Sequence, residues 1–259
     1  MSDRRSANLG HTSVSADGQI FVLAERRVST DRRVLKDRRM IKKSFIDPEI
    51  RPIFYGFIQK VILILANFVF RIFAKIEISG AEFAKRIKQG PILIIANHKS
   101  VLDPVLIGFC LPYFSNIFPI RFMAKDEFFK NAFKKVFFNA LGAFPAKRGQ
   151  GIENSLALPS GFLSQGKTVA IFPEGRCIKH EGLESPQKGA GRLAIDFPMA
   201  IILPIAIKGT LGFNFFNIFY RRPKIKISIG CPFFSKDRIS GNEQEASDQL
   251  MNEISNLYS

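Results

Sequence analysis

The chain has 259 residues, room for one sizeable domain and an extension rather than several domains. Its 46% hydrophobic content is ample for a packed core, and 38 Lys/Arg against 22 Asp/Glu leave it at +16, a charge that attracts nucleic acid, anionic lipid or acidic protein. The three cysteines, Cys110, Cys177 and Cys231, form no C-x-x-C pair, which argues against a disulfide framework or a zinc site and suits a reducing cytoplasm.

Residues 1–50 read as a basic, disordered arm. They repeat Arg-Arg pairs every six residues, at Arg26-Arg27, Arg32-Arg33 and Arg38-Arg39. Six residues advance a helix by about 600°, so the pairs make no single basic stripe. A solvated charged segment is the plain reading, and an anchor for anionic lipid headgroups the sharper one. The apolar run Ile20–Ala24 is too short for a secretory signal. Residues 51–75 are expected to form an amphipathic membrane-interface helix. Ile53 to Ala74 is long enough to span a bilayer, but Gln59, Lys60, Asn67 and Arg71 interrupt it. Lys60, Asn67, Arg71 and Lys75 share one narrow stripe, and the rest of the circumference is largely Ile, Leu, Val and Phe, which suits shallow insertion with the stripe facing protein.

From residue 76 to 259 apolar runs alternate with helical stretches. Strands are predicted at Ile92–Ala96, Ile120–Ala124, Thr168–Phe172, Ala200–Ile207 and Lys224–Ile229. Helices are predicted at Ala81–Lys88, Pro104–Cys110, Glu127–Leu141, Ile152–Ser164 and Glu243–Tyr258, the last capped by Asn242 with Glu245 three residues on. Several strands are continuously apolar, as strands covered on both faces must be. The fold class is α/β: a single domain with a mostly parallel sheet flanked by helices.

Two polar segments follow strands directly. Asn97-His98-Lys99-Ser100-Val101-Leu102-Asp103 follows the run ending at Ala96, and Pro173-Glu174-Gly175-Arg176 follows the run ending at Phe172. Ligand sites of open α/β sheets lie at such strand ends. An imidazole within reach of a hydroxyl can take its proton as the hydroxyl attacks a thioester carbonyl, and Asp103 would hold the ring tautomer and stabilise the imidazolium. Asp103-Pro104 also fits an N-cap followed by a first-turn proline, and His98 an ordinary loop histidine. Ser100 reads as a loop or capping residue rather than a nucleophile.

Over about residues 70–232 the sequence resembles the glycerolipid acyltransferases of the 1-acyl-sn-glycerol-3-phosphate type. Four blocks stand in family order: Asn97-His98-x-Ser100-x-x-Asp103, Gly142 to Gly149, Phe172-Pro173-Glu174-Gly175-Arg176, and Leu203 to Ile207. Met123 to Phe129 resembles the family's Lys-x-Glu-Leu-Phe segment. The resemblance implies His98 and Asp103 as catalytic residues and Asn97, Lys125, Arg148, Glu174, Gly175 and Arg176 as substrate-binding residues. Arg148 and Arg176 would grip the acceptor's phosphate, Glu174 would orient an arginine or bond an acceptor hydroxyl, and Gly175 would allow a tight turn. Lys147 is a weaker phosphate candidate. The chain departs from the commoner Glu-Gly-Thr-Arg block, since Arg176 follows Gly175 directly. In block two, Pro145-Ala146-Lys147 replaces the usual apolar-apolar-Asp, so only Arg148 carries over.

What this implies is transfer of a fatty acyl group from acyl-CoA or acyl-carrier protein to a lysophospholipid, 1-acyl-sn-glycerol 3-phosphate, at the cytoplasmic face of a membrane. No cofactor and no metal are expected, the donor being a substrate. Expected partners are the lysophospholipid, an anionic membrane surface and, as one of two donors, acyl-carrier protein. Reacylation of another lysophospholipid and a non-catalytic lipid-binding protein on the same fold are the alternatives. Nucleic acid is not expected as a partner, for no binding motif accompanies the charge.

Overall fold

The computed structural model describes residues 12–14, 20–22, 52–113, 115–146, 151–213 and 222–259. Most of the expected basic arm lies outside the described residues. Within it, β1 (Thr12–Val14) and β2 (Ile20–Val22) pair antiparallel.

The main sheet has eight strands. β3 (Lys75–Ser79), β4 (Ile92–Ala96), β5 (Ile120–Lys125), β6 (Ala143–Ala146), β7 (Thr168–Ile171), β8 (Ile201–Lys208) and β9 (Lys224–Ile229) run in the spatial order β3-β9-β8-β4-β7-β5-β6, and β10 (Phe233–Phe234) pairs with β8. Strands β8, β4, β7, β5 and β6 are mutually parallel. Within this sheet, among the described residues, the β8–β9 and β8–β10 pairings are antiparallel.

The period of two along each central strand divides two cores. In β4, Ile92, Ile94 and Ala96 face one core while Leu93 and Ile95 face the other. The first core is covered by α1 (Pro52–Phe73), α2 (Ala81–Lys85) and α3 (Asp103–Cys110). The second is covered by α5 (Ile152–Leu163), α6 (Lys188–Asp196) and α8 (Glu243–Tyr258). Covering on both faces explains the unbroken apolar runs of β4, β7 and β8. The predicted α8 starts at Asn242, whose side chain accepts from the Gln244 and Glu245 backbone N–H groups while Glu245 accepts from the Asn242 N–H.

The larger differences from expectation lie in the helices. The stretch read as one helix from Glu127 to Leu141 divides into a 3-10 turn, Asp126–Phe129, and α4 (Ala132–Ala140). Asn131 causes the break: its extended backbone and side-chain oxygen, accepting from Phe133 and Lys134, start a new helix. Helix α2 ends at Lys85, three residues early. A four-residue helix, α7 (Ser235–Arg238), follows β10.

Helix α1 is fastened along one seam. Gln59, buried despite its polarity, accepts from the Ile120 N–H at 2.9 Å and donates to the Ile120 and Leu141 carbonyls at 2.8 Å. Leu63 packs so closely on Gly108 of α3 that a β-carbon there would meet it at 2.7 Å. Asn67 donates to the Tyr113 hydroxyl and accepts from Arg71. The opposite side of α1 is apolar and open, with Phe57, Leu65 and Phe68 at 63%, 64% and 68% exposure.

Candidate active site

The loop after β4 is built around one carboxylate. Asp103 is fully buried, and its Oδ2 accepts from the backbone N–H groups of Lys99 at 2.6 Å and Ser100 at 2.7 Å. The same oxygen lies 3.0 Å from His98 Nδ1. Asp103 is the first residue of α3, yet it reaches back into the preceding loop rather than capping its own helix, so the N-cap alternative fails. Its other oxygen, Oδ1, has no hydrogen-bond partner among the described residues. Ser100 is the capping residue expected: its Oγ accepts from the Leu102 N–H and donates to the Phe213 carbonyl.

An acceptor at Nδ1 fixes the proton on that nitrogen and leaves the Nε2 lone pair free. Nε2 makes no hydrogen bond to any described residue. The ring stacks on Phe172 with centroids 4.1 Å apart and planes inclined by 17°. One face of the imidazole is thus fixed by an aromatic and its inner nitrogen by a carboxylate, leaving Nε2 for a substrate.

The second segment supports the first. Gly175 N–H donates to the Phe172 carbonyl at 2.9 Å, closing a turn with Pro173 in its second position. Gly175 has φ +71°, and a β-carbon there would meet Gln187 at 2.8 Å, so glycine is required twice over. The turn directs Glu174 inward, where only 2% of it is exposed. Its Oε2 accepts from the His98 backbone N–H at 2.7 Å and its Oε1 from the Glu184 N–H at 3.2 Å. Lys99 Nζ lies 3.8 Å from Oε1 and also donates to the carbonyls of His180 and Gly182. Burial raises the Glu174 pKa, opposed by the N–H donors and by the Lys99 charge.

Several of the expected substrate-binding residues have partners within the chain. Glu174 makes no contact with Arg176 among the described residues; its oxygens hold the histidine loop against the 172–187 segment. Asn97, expected among the substrate-binding residues, is fully buried and uses both ends of its amide on Ile207, at 2.8 Å to the carbonyl and 2.7 Å from the N–H. It extends the β4–β8 ladder one step past Ala96 and positions the strand end. Arg176 is exposed and forked onto Glu184, with a shortest contact of 2.9 Å. Glu184 also takes His180 at 2.8 Å. Lys125 ends β5 at the same edge of the parallel sheet, exposed. Lys147 and Arg148 lie outside the described residues, directly after β6. Lys99 and Phe172 contribute to the site and were not singled out from sequence. For the first, the available signal was a lysine directly beside the histidine, inside the segment that joins His98 to Asp103. No three His, Cys, Asp or Glu side chains gather as metal ligands among the described residues.

The relatives point the same way. A probable 1-acyl-sn-glycerol-3-phosphate acyltransferase of Mycoplasma genitalium is 32% identical over 129 residues, 49% of this chain and 48% of that protein. The 1-acyl-sn-glycerol-3-phosphate acyltransferase of Bacillus subtilis is 28% identical over 63% of this chain and 81% of its own length. The chain thus spans about half the length of the first relative and most of the second. Among solved structures, the 1-acyl-sn-glycerophosphate acyltransferase PlsC of Thermotoga maritima superposes with a TM-score of 0.61 at 20% identity, covering 86% of this chain and 87% of that one, so the fold is shared. Residues 75–208, which hold both the histidine loop and the Pro-Glu-Gly turn, match the acyltransferase family model, and the chain belongs to that family.

Proposed function

We propose that the chain transfers a fatty acyl group from a thioester, acyl-CoA or acyl-carrier protein, to the free hydroxyl of a lysophospholipid, 1-acyl-sn-glycerol 3-phosphate, giving phosphatidic acid. The observation that carries this reading is the buried Asp103 carboxylate on His98 Nδ1 with Nε2 left open. Nε2 takes the hydroxyl proton as the hydroxyl oxygen attacks the thioester carbonyl. The imidazolium that forms is stabilised by Asp103 and returns its proton to the leaving thiolate when the tetrahedral intermediate collapses. The alcohol is the nucleophile, so no enzyme serine or cysteine is needed.

Arg176, with Arg148 after β6, would bind the acceptor's phosphate. The phosphate joins or displaces Glu184 at the Arg176 fork, where planar two-point bonding is available. Both substrates carry fatty chains, which favours an active site held at a membrane interface, here assigned to the cytoplasmic face. The open apolar side of α1 supports this, as does α4, which lies against α1. On α4, Phe133, Val136 and Phe137 are exposed at helical spacing beside Lys130, Lys134 and Lys135, a pattern suited to an anionic lipid surface.

Purified protein supplied with a panel of lysolipids and both donor types tests the reading. Radiolabel should enter phosphatidic acid, with lysophosphatidic acid preferred over lysophosphatidylcholine. Transfer to no lysolipid under any donor would overturn it.

A further inference from the structure

At the opposite edge of the sheet, where β5 and β7 begin, a cleft of about 560 Å³ opens beneath the first turns of α1. Lys60, Arg121 and Lys167 line it, with Phe57 at its rim. Ile120 and Thr168, the first residues of β5 and β7, are paired neighbours. β7 runs from Thr168 towards Phe172, so the cleft and His98 are separated by about 13 Å of strand rise.

The three cations have no carboxylate within ion-pair distance among the described residues, unlike Lys99 and Arg176 at the other edge. Arg121 is half-buried against the Phe162 ring at 4.8 Å and, among the described residues, makes one hydrogen bond, from a terminal nitrogen to the Pro119 carbonyl at 3.0 Å. Lys167 Nζ lies 5.9 Å from the centroid of the same Phe162 ring and donates to the Gln165 side-chain oxygen at 2.5 Å. Burial lowers Arg121 to about 10, and Lys167 is lowered by burial and by the Arg121 charge. Two like charges converge where desolvation already disfavours each, and no acid among the described residues compensates. Such an arrangement is stabilised by an anion supplied from outside, and a guanidinium with free N–H groups beside a lysine suits the oxygens of a phosphate.

We propose that this cleft is a second anion site, separate from the catalytic edge, in which Arg121, Lys167 and Lys60 bind a phosphate group. That phosphate comes either from a membrane lipid headgroup, whose chains would follow Phe57 and the open side of α1, or from a water-soluble phosphate.

The chain contains no tryptophan, so Phe57→Trp places a single reporter at the rim. The full-length Phe57→Trp protein, in nonionic detergent, is titrated with inorganic phosphate, dihexanoyl phosphatidic acid and dihexanoyl phosphatidylcholine. Emission should change saturably with inorganic phosphate or with phosphatidic acid and not with phosphatidylcholine. Lys167→Gln should raise the midpoint about tenfold, and Arg121→Gln at least as much. Because Arg121 packs on Phe162, circular dichroism accompanies that variant, and Lys167→Gln stands alone if it misfolds. Saturation by inorganic phosphate identifies a soluble ligand; saturation by the lipid alone identifies a headgroup. A reporter silent to both anions, an equal response to phosphatidylcholine, or a midpoint unmoved by Lys167→Gln would overturn the assignment.

Discussion

The two ends of the parallel strands treat charge in opposite ways. At the carboxyl end, Asp103, Glu174, Lys99 and Arg176 each have a partner on this chain. At the amino end, Arg121, Lys167 and Lys60 face a cleft without an acid among the described residues. Compensated buried charge is fixed in place and can hold a catalytic ring to within fractions of an ångström. Uncompensated charge leaves an electrostatic demand that a ligand meets. The sheet thus carries preorganised machinery on one edge and, by our proposal, a receptor for an anion on the other.

Removing groups from each edge tests this contrast. Asp103→Ala should have the largest effect on turnover. Acyl transfer should fall by about 10³- to 10⁴-fold, by analogy with the orienting acid of hydrolase triads. Two backbone N–H groups would lose their acceptor, and urea titration should show a loss of about 1–3 kcal/mol. Normal turnover in this variant would remove the dyad from the mechanism. Glu174→Ala should come next. It leaves Lys99 buried without its counter-ion, a change worth about 3–5 kcal/mol, and frees the His98 backbone, which should reduce turnover about a hundredfold. Gly175→Ala imposes a side chain at φ +71° against Gln187 and should cost about 1–2 kcal/mol. A wild-type melting temperature for Gly175→Ala would mean that the turn tolerates a β-carbon.

At the amino edge the sign should invert. Arg121→Met removes a half-buried cation with no carboxylate partner among the described residues, and stability in phosphate-free buffer should be unchanged or rise by about 1 kcal/mol. A large loss would show that Arg121 is structural. The smallest effect belongs to the exposed His180–Glu184 pair. Hydrogen bonds to the Glu181 carbonyl and to Glu184 raise His180 above 6.5, while His180 and Arg176 lower Glu184 below 4.5. The His180 contribution is complete below pH 6.5 and disappears as pH rises through its raised value. The Glu184 contribution is complete above 4.5 and disappears as pH falls through its lowered value. Glu184→Ala should return the His180 NMR titration towards 6.5, and an unmoved midpoint would contradict the pairing.

The parts of this molecule that were legible in sequence are the parts with short-range causes. His98 and Asp103 lie five residues apart, and one turn of loop brings them together. Strands β4, β7 and β8 read as continuous apolar runs because helices cover both faces. The two outermost strands did not. Almost every residue of β3 is exposed, so Lys75-Ile76-Glu77-Ile78-Ser79 shows no apolar run. β6, at the other edge, is four residues long and contains Pro145. Glu174 illustrates the limit at the site. The glutamate stood out, but its partner is a backbone N–H 76 residues earlier, a relation set by the β4–β7 register rather than by any local pattern. Asn97 was legible as a neighbour of His98, yet its amide is engaged 110 residues away on β8.

The most direct measurement is acyl transfer by purified His98→Ala, with lysophosphatidic acid and an acyl thioester both saturating and the fold checked by thermal unfolding. The account predicts a melting temperature within a few degrees of wild type and turnover reduced by about 10²- to 10⁴-fold. A folded variant that keeps wild-type turnover would contradict it.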